Sequence, residues 1–285
     1  MKKFLNMIIT VALVTIVALS MVACTNTTTN GSDKKGLLVK KIDGVYTVYG
    51  YVDDGSNLDT LDMGEIFAQK EIADEDVRIK KGAFDGNSTL KKIIVPANVV
   101  TIDAGAFRNM QKLETLEVPF IGLSSNADAY YRETGSAEGK ATDAARTIAH
   151  FFGTESYDAG QAITINYGAS TVTCFMPVTF ANVIVNASGE LDCRETYGIP
   201  MYAFNGATNL KSIELKGDKL GAIGVNAFGG CVALTKVEIP ATVKTIYEDA
   251  FKGCAKLETV TIKGTDVDIR EGAFADTLYE EKLAD

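Results

Sequence analysis

Apolar positions recur along this chain in two linked phrases. The first is an apolar residue, four positions, then Phe: Ile79 to Phe84, Ile102 to Phe107, Ile199 to Phe204, Ile223 to Phe228, Ile246 to Phe251 and Ile269 to Phe274. Successive Phe residues lie 23, 97, 24, 23 and 23 positions apart. The second phrase starts with a Leu six residues after Phe and ends apolar-x-apolar: Leu90 to Val95, Leu113 to Val118, Leu210 to Leu215, Leu234 to Ile239 and Leu257 to Ile262. That ending has the two-residue period of a half-buried strand. Pro96, Pro119 and Pro240 close three of these strands, since Pro has no N–H to give a ladder. A second extended piece, such as Val243 to Ile246, leads back to the next Ala-Phe turn. One such unit cannot bury its own apolar face, so a period near 23 predicts a stacked solenoid. Phe84, Phe107, Phe204, Phe228, Phe251 and Phe274 then form an interior spine.

Two regions depart from the period. Leu37 to Val52 is rich in Tyr and Val around Asp43-Gly44, a hairpin signal. Residues 37–76 are therefore expected to cap the amino-terminal end, ahead of repeats over 77–119. The 97 residues between Phe107 and Phe204 do not fit a whole number of regular units. Residues 120–198 are read as an irregular stretch, with 120–179 an enlarged repeat that bulges from the solenoid. Within it, Asp143 to Gly153 has a helical pattern, with apolar residues at 144, 148, 151 and 152 and Gly153 as a stop. Ile163 to Met176 reads as strands, and Phe180-Ala-Asn-Val183-Ile-Val185 repeats the strand phrase with Phe in place of Leu. Such an insertion lies on one face, either as a binding surface or as decoration. Repeats resume over 199–285, with a carboxy-terminal cap.

These phrases resemble the BspA-like leucine-rich repeat family of bacterial surface proteins, whose unit runs approximately IPxxVTxIGxxAFxxCxxLxxVxIP. Residues 239–262 (IPATVKTIYEDAFKGCAKLETVTI) follow it almost position by position. The match covers about residues 77–119 and 199–275. The resemblance implies a mostly β, α/β-type repeat solenoid that binds proteins or glycans. In some members that means adhesion to extracellular-matrix proteins of a host. Cys231 and Cys254, each three residues after a Phe, stand where the family commonly has Cys.

The amino terminus changes the picture of location. Lys2-Lys3, an apolar run from about Phe4 to Val22, and then Val22-Ala23-Cys24 make a secretory signal over 1–23. Residues 19–24 (LSMVAC) resemble a bacterial lipobox, which implies lipid on the Cys24 thiol; the alternative is a single membrane-spanning anchor. Residues 24–36 are a polar tether. Loss of Lys2 and Lys3 with the signal takes the formal net charge from −9 to −11. Nucleic acid is excluded as a partner, because its phosphates demand a basic footprint. Membrane contact is expected through the lipid anchor alone.

Candidate chemistry is sparse. His150 is the only His, set in the apolar stretch 147–152. There is no GxSxG, HExxH, P-loop or dinucleotide fingerprint, so no catalytic residue and no cofactor are expected. Asp53, Asp54, Asp59 and Asp62 do not follow the EF-hand spacing and read as a solvated loop, with no metal site. Cys174 and Cys193 sit in the irregular stretch with undecided pairing, and the stacked Cys231 and Cys254 are read as free buried thiols. The candidate binding face is the solvent side of the strands. One row holds Lys92, Thr115, Ser212, Lys236 and Thr259; the next holds Glu117, Glu214, Glu238 and Thr261. The expected function is a cell-surface lipoprotein that mediates protein interaction or adhesion. The alternatives are an envelope-assembly protein binding other bacterial surface proteins and, remotely, an enzyme housed in the insertion.

Overall fold

The structure is a computed structural model and describes residues 36–53, 55, 58–123, 144–167, 170–187 and 197–284. These belong to the unit Lys35–Asp285. The expected signal, Cys24, nearly all of the tether, Asp54 and Cys193 lie outside the described residues.

The chain enters through an antiparallel hairpin, β1 (Gly36–Ile42) and β2 (Val45–Val52), that turns at Asp43 and Gly44. Both turn residues have positive φ, 50° and 85°, the backbone twist a two-residue hairpin needs. β2 then pairs in parallel with β4 (Val77–Ile79), and β4 with β6 (Val99–Ile102). The hairpin thus converts an open end into a paired one.

The strand phrases build a second sheet: β3 (Thr60–Asp62), β5 (Lys92–Ile94), β7 (Thr115–Val118), β10 (Asn182–Asn186) and β12 (Ser212–Lys216), all parallel and in that order. Helix α1 (Met63–Gln69) follows β3 directly and buries Met63 and Phe67. β14 (Lys236–Ile239) and β16 (Thr259–Ile262) pair with each other in the same parallel way. The return pieces β11 (Tyr197–Ile199), β13 (Leu220–Ile223), β15 (Thr245–Ile246) and β17 (Asp268–Ile269) form another parallel sheet. Along β12 and β14 the alternation is as the sequence predicts: Ile213, Leu215, Val237 and Ile239 are buried.

Between the sheets runs the aromatic spine. Phe204, Phe228, Phe251 and Phe274 stack with centroids 5.0, 4.9 and 5.2 Å apart and planes within 6°. Phe84 and Phe107 stack at 5.4 Å. Tyr51 of β2 ends the spine on one side, 6.0 Å from Phe84. On the other side Tyr279, from the terminal helix Leu278–Ala284, meets Phe274 edge-on at 5.2 Å.

Each Phe is held in a turn of fixed shape. The residues two before and two after it are left-handed in all six regular repeats. Gly, Asn or Asp fill these places except at Tyr202 (φ 59°), the one bulky residue at these turn positions.

The long gap between Phe107 and Phe204 resolves into one enlarged rung and one lengthened rung. In the regular part Lys92 lies opposite Thr115, 23 residues on. Thr115 instead pairs directly with Asn182, 67 residues on, and Asn182 with Ser212, 30 residues on. The expected single helix is a 3-10 turn, Ala144–Arg146, followed by a short helix, α2 (Ala149–Phe152). This one-turn helix carries the ladder through the irregular rung. Its carbonyl end accepts from the Phe107 rung, His150 O from Gly105 N and Phe151 O from Phe107 N, at 2.8 and 3.0 Å. On its other side Ile148 N donates to Ala203 O at 2.8 Å. Phe151 meets Phe107 edge-on at 6.0 Å, and Phe152 packs on Phe180 at 4.8 Å.

After α2 comes an antiparallel hairpin, β8 (Gly160–Tyr167) and β9 (Ser170–Pro177). It docks on the Phe204 turn. Asn166 Nδ2 donates to Asn205 Oδ1 at 3.2 Å, and Gly206 lies so close under the Thr164 carbonyl that a Cβ would overlap it.

That contact separates two otherwise equivalent glycines. Gly230, one rung on, has the same left-handed φ but nothing nearer than 3.9 Å to a built Cβ. Gly230→Ala should cost only the backbone penalty, roughly 1–2 kcal/mol. Gly206→Ala should cost a further roughly 1–3 kcal/mol, because β8 must move. Urea unfolding midpoints compare the two; equal losses would contradict the docked hairpin.

Candidate interaction surface

The strand face divides into a closed half and an open half. On the closed half, Glu117 sits between Lys92 Nζ at 3.4 Å and Asn186 Nδ2 at 3.1 Å, with its side chain only 12% exposed. Thr115 Oγ1 accepts from Asn182 Nδ2 at 3.3 Å. β10 stands between β7 and β12, so Asn182 and Ile184 interrupt both expected rows. Glu117 and Glu214 are therefore separated by Ile184, and the mild repulsion expected of neighbouring Glu does not arise there.

On the open half, Ser212 and Glu214 of β12, Lys236 and Glu238 of β14, and Thr259 and Thr261 of β16 line one groove of about 570 Å³, together with Lys216, Pro240 and Lys263. All six expected residues of these rungs are brought together. The groove lies over a fault in the sheet. Among the described residues β12 and β14 are not joined by a ladder, whereas β14 and β16 pair in register. The rung between them is 24 residues long instead of 23.

Charges in the groove are matched but one. Glu214 pairs with Lys216 at 3.1 Å, and Glu238 pairs with Lys263. Lys236, exposed in the middle, has no ion-pair partner among the described residues. The groove thus carries three ammonium groups, two carboxylates and three hydroxyls on a chain of net charge −9. Exposed pairs of this kind contribute little to stability and are free to exchange partners.

The remaining chemistry-bearing residues have structural roles. His150 Nε2 lies 2.9 Å from Ile102 O; a carbonyl only accepts, so Nε2 carries the proton and ties α2 to the preceding rung. Asp62 caps α1 by accepting from Gly64 N and Glu65 N at 2.8 and 3.3 Å. Asp59 pairs with Lys91 at 2.9 Å. Among the described residues no cluster of three or more His, Cys, Asp or Glu is placed to hold a metal ion. Cys174, Cys231 and Cys254 are free and buried. Their thiols donate to Ile163, Phe204 and Phe228 carbonyls at 3.6, 3.2 and 3.1 Å. Burial pushes the Cys174 thiol up to about 12, and burial, reinforced by Cys254, holds Cys231 well above the ordinary range.

Six copies of the BspA type leucine rich repeat region match residues 67–135 and 193–282. The chain belongs to the BspA-type leucine-rich repeat family. Its matched repeats are those that stack on the Phe spine and flank the enlarged rung. No curated protein matches the chain. Among solved structures, it is similar to a leucine-rich repeat protein from Bacteroides ovatus, at 19% identity and a TM-score of 0.36. That match covers 87% of this chain and 57% of the other, so the chain spans little more than half the Bacteroides protein's length. A leucine rich cell surface protein from Faecalibacterium prausnitzii is 14% identical over 85% of this chain and 97% of its own, with a TM-score of 0.22. The pneumococcal vaccine antigen PcpA is 15% identical over 80% and 62%, with a TM-score of 0.24. No helix among the described residues is long and apolar enough to cross a membrane.

The thiol pKa directions give a reactivity prediction. Only the thiolate is nucleophilic, so raised pKa and burial both suppress alkylation. At pH 8 the native protein should leave Cys174 and Cys231 unmodified by iodoacetamide, and guanidinium should expose both. Mass spectrometry of the peptides reads this out; rapid native labelling of either would contradict the packing described.

Proposed function

We propose that this protein is a non-enzymatic cell-surface lipoprotein, anchored through Cys24, whose solenoid binds a partner protein at the groove over β12, β14 and β16. The observation that carries the reading is that groove itself. It brings Ser212, Glu214, Lys236, Glu238, Thr259 and Thr261 together where the sheet is faulted, with Lys236 unmatched. A mixed polar surface of this kind selects partners by charge pattern and steers their approach. The family supports a binding role, and the signal and Cys24 motif support export and a lipid tether. The partner class favoured is an extracellular or matrix protein of a host or neighbouring cell.

The test is binding of the full chain to a panel of purified extracellular-matrix proteins, read by surface plasmon resonance. Saturable binding is expected, weakened about tenfold or more by Lys236→Glu with Lys263→Glu, since each lost rim contact acts on association and on fit. Saturable binding that both substitutions leave unchanged would move the site elsewhere. No binding to any panel member, with bacterial surface proteins alone captured by crosslinking on intact cells, would favour envelope assembly. Cys24→Ser should release the chain from membranes; retention would overturn the tether.

A further inference from the structure

A second surface is marked by the absence of charge. Between Asp158 and Glu190 the sequence has no charged residue, a run of 31 positions in a chain that is 23% charged. The run includes the whole β8–β9 hairpin. β8 is covered by the Phe204 turn through Thr164 and Asn166. Among the described residues the outer edge of β9 is hydrogen-bonded at one end, where Phe175 N donates to Gly153 O at 3.2 Å. In an antiparallel pair alternate residues point their N–H and C=O groups away from the partner. The Phe175 N–H points outward, so those of Thr173 and Thr171 do as well. Both threonines are exposed, and among the described residues neither backbone N–H has a partner.

Sheet edges of this kind are normally guarded by charge, Pro or a bulge. The other long edge follows that rule: β1 carries Lys40 and Lys41 and a bulge between Leu38 and Val39. β9 has none of these over Thr171 to Thr173. Beyond this edge lies a cleft of about 180 Å³. Val172 forms one wall; Ala104, Gly105, Ala145, Ala149 and Gly153 form a floor of small residues, and Lys81, Arg108 and Glu155 stand at the cleft as an ion-paired group beside His150 and Thr154.

We infer that β9 is a self-pairing edge: Thr171–Val172–Thr173 adds in antiparallel to the same strand of a second copy of this chain. The sequence is self-complementary for that geometry. A two-fold axis at Val172 sets Thr171 against Thr173 of the second copy, which exchange both of their outward hydrogen bonds in two symmetric pairs. Thr faces Thr across the pair, one of the stabilising cross-strand combinations. Val172 of the second copy falls on the same face as the resident Val172, so its side chain enters the cleft, and the reverse contact is made by symmetry. Two copies of net charge −9 repel over most of their surfaces; the strand adds no charge of its own, and at the cleft Lys81 and Arg108 are paired with Glu155, and Arg108 also with Asp85. The contact is small, so the dimer is a weak, reversible one. It uses a surface separate from the strand-face groove, and neither proposal depends on the other.

The two-fold axis supplies the test. At Val172 the opposed Cα atoms of a non-hydrogen-bonded pair are about 4.5 Å apart, within disulfide range. The full-length chain carrying Val172→Cys is oxidised with copper phenanthroline and run on a non-reducing gel beside the wild type, whose native cysteines set the background. A covalent dimer well above background is expected. Adding Thr173→Pro removes one outward N–H without touching the β8 ladder, and should lower the dimer about fivefold or more with melting unchanged. If Thr173→Pro melts early, Thr173→Glu, which puts a carboxylate on the edge, should lower it instead. No dimer above background, or a dimer that neither substitution reduces, overturns the proposal.

Discussion

Every rung of this solenoid must bring its backbone back into register with the rung before it. That requirement, met by hydrogen bonds from each Phe N–H to the next rung's carbonyl, fixes the rest of the structure. Phe84, Phe204, Phe228 and Phe251 each donate to the Ala preceding the next Phe, at 2.7 to 3.0 Å. Register at that point puts ring over ring, and the rings fill the space between the two sheets. It also demands left-handed backbone on both sides of Phe, which explains the Gly, Asn and Asp found there. A slip of one residue would turn each strand's buried face outward.

The same constraint explains how the irregular rung is tolerated. The chain is free to wander between ladder contacts, since loop closure adds cost only slowly with length. What it has to return is one carbonyl facing backward and one N–H facing forward. Helix α2 does this with a single turn, offering Phe151 O to one neighbour and Ile148 N to the other. The hairpin β8–β9 is then free to spread over the turn side. The two places where the regular pattern relaxes, the fault between β12 and β14 and the open edge of β9, are also where the two proposed contact surfaces lie. On the closed half of the strand face the groups are buried or neutralised, as Glu117 illustrates between Lys92 and Asn186.

Much of the fold was legible in the sequence because its signals are local and repeated. The Phe spacing, the strand alternation and the Asp43-Gly44 turn each specify geometry within a few residues. The strand β10 was readable from Phe180, Val183 and Val185 because it keeps the strand phrase. The role of residues 147–152 was not readable, since a helical turn meets the ladder with a different spacing from Ile-x4-Phe. Nor was the docking of the hairpin: Gly206 looks like every other glycine two residues after Phe, and only the Thr164 carbonyl above it sets it apart. That the groove residues share one face was legible from their strand positions, but the break beneath them was not. Its sole trace is a Phe spacing of 24 instead of 23, and one extra residue does not announce which bond it breaks.

Native-state hydrogen exchange across the enlarged rung tests the central claim most directly, that one continuous ladder joins the two repeat arrays. The amides to compare are Phe107, bonded to Phe151 O, Ile148, bonded to Ala203 O, and Phe228, bonded to Ala250 O. If the rung is part of one stack, all three exchange through a common cooperative opening whose free energy falls with denaturant at one slope. Two separate openings, with Phe107 and Phe228 protected and Ile148 exchanging freely, would mean that the arrays are distinct and that α2 does not carry the ladder between them.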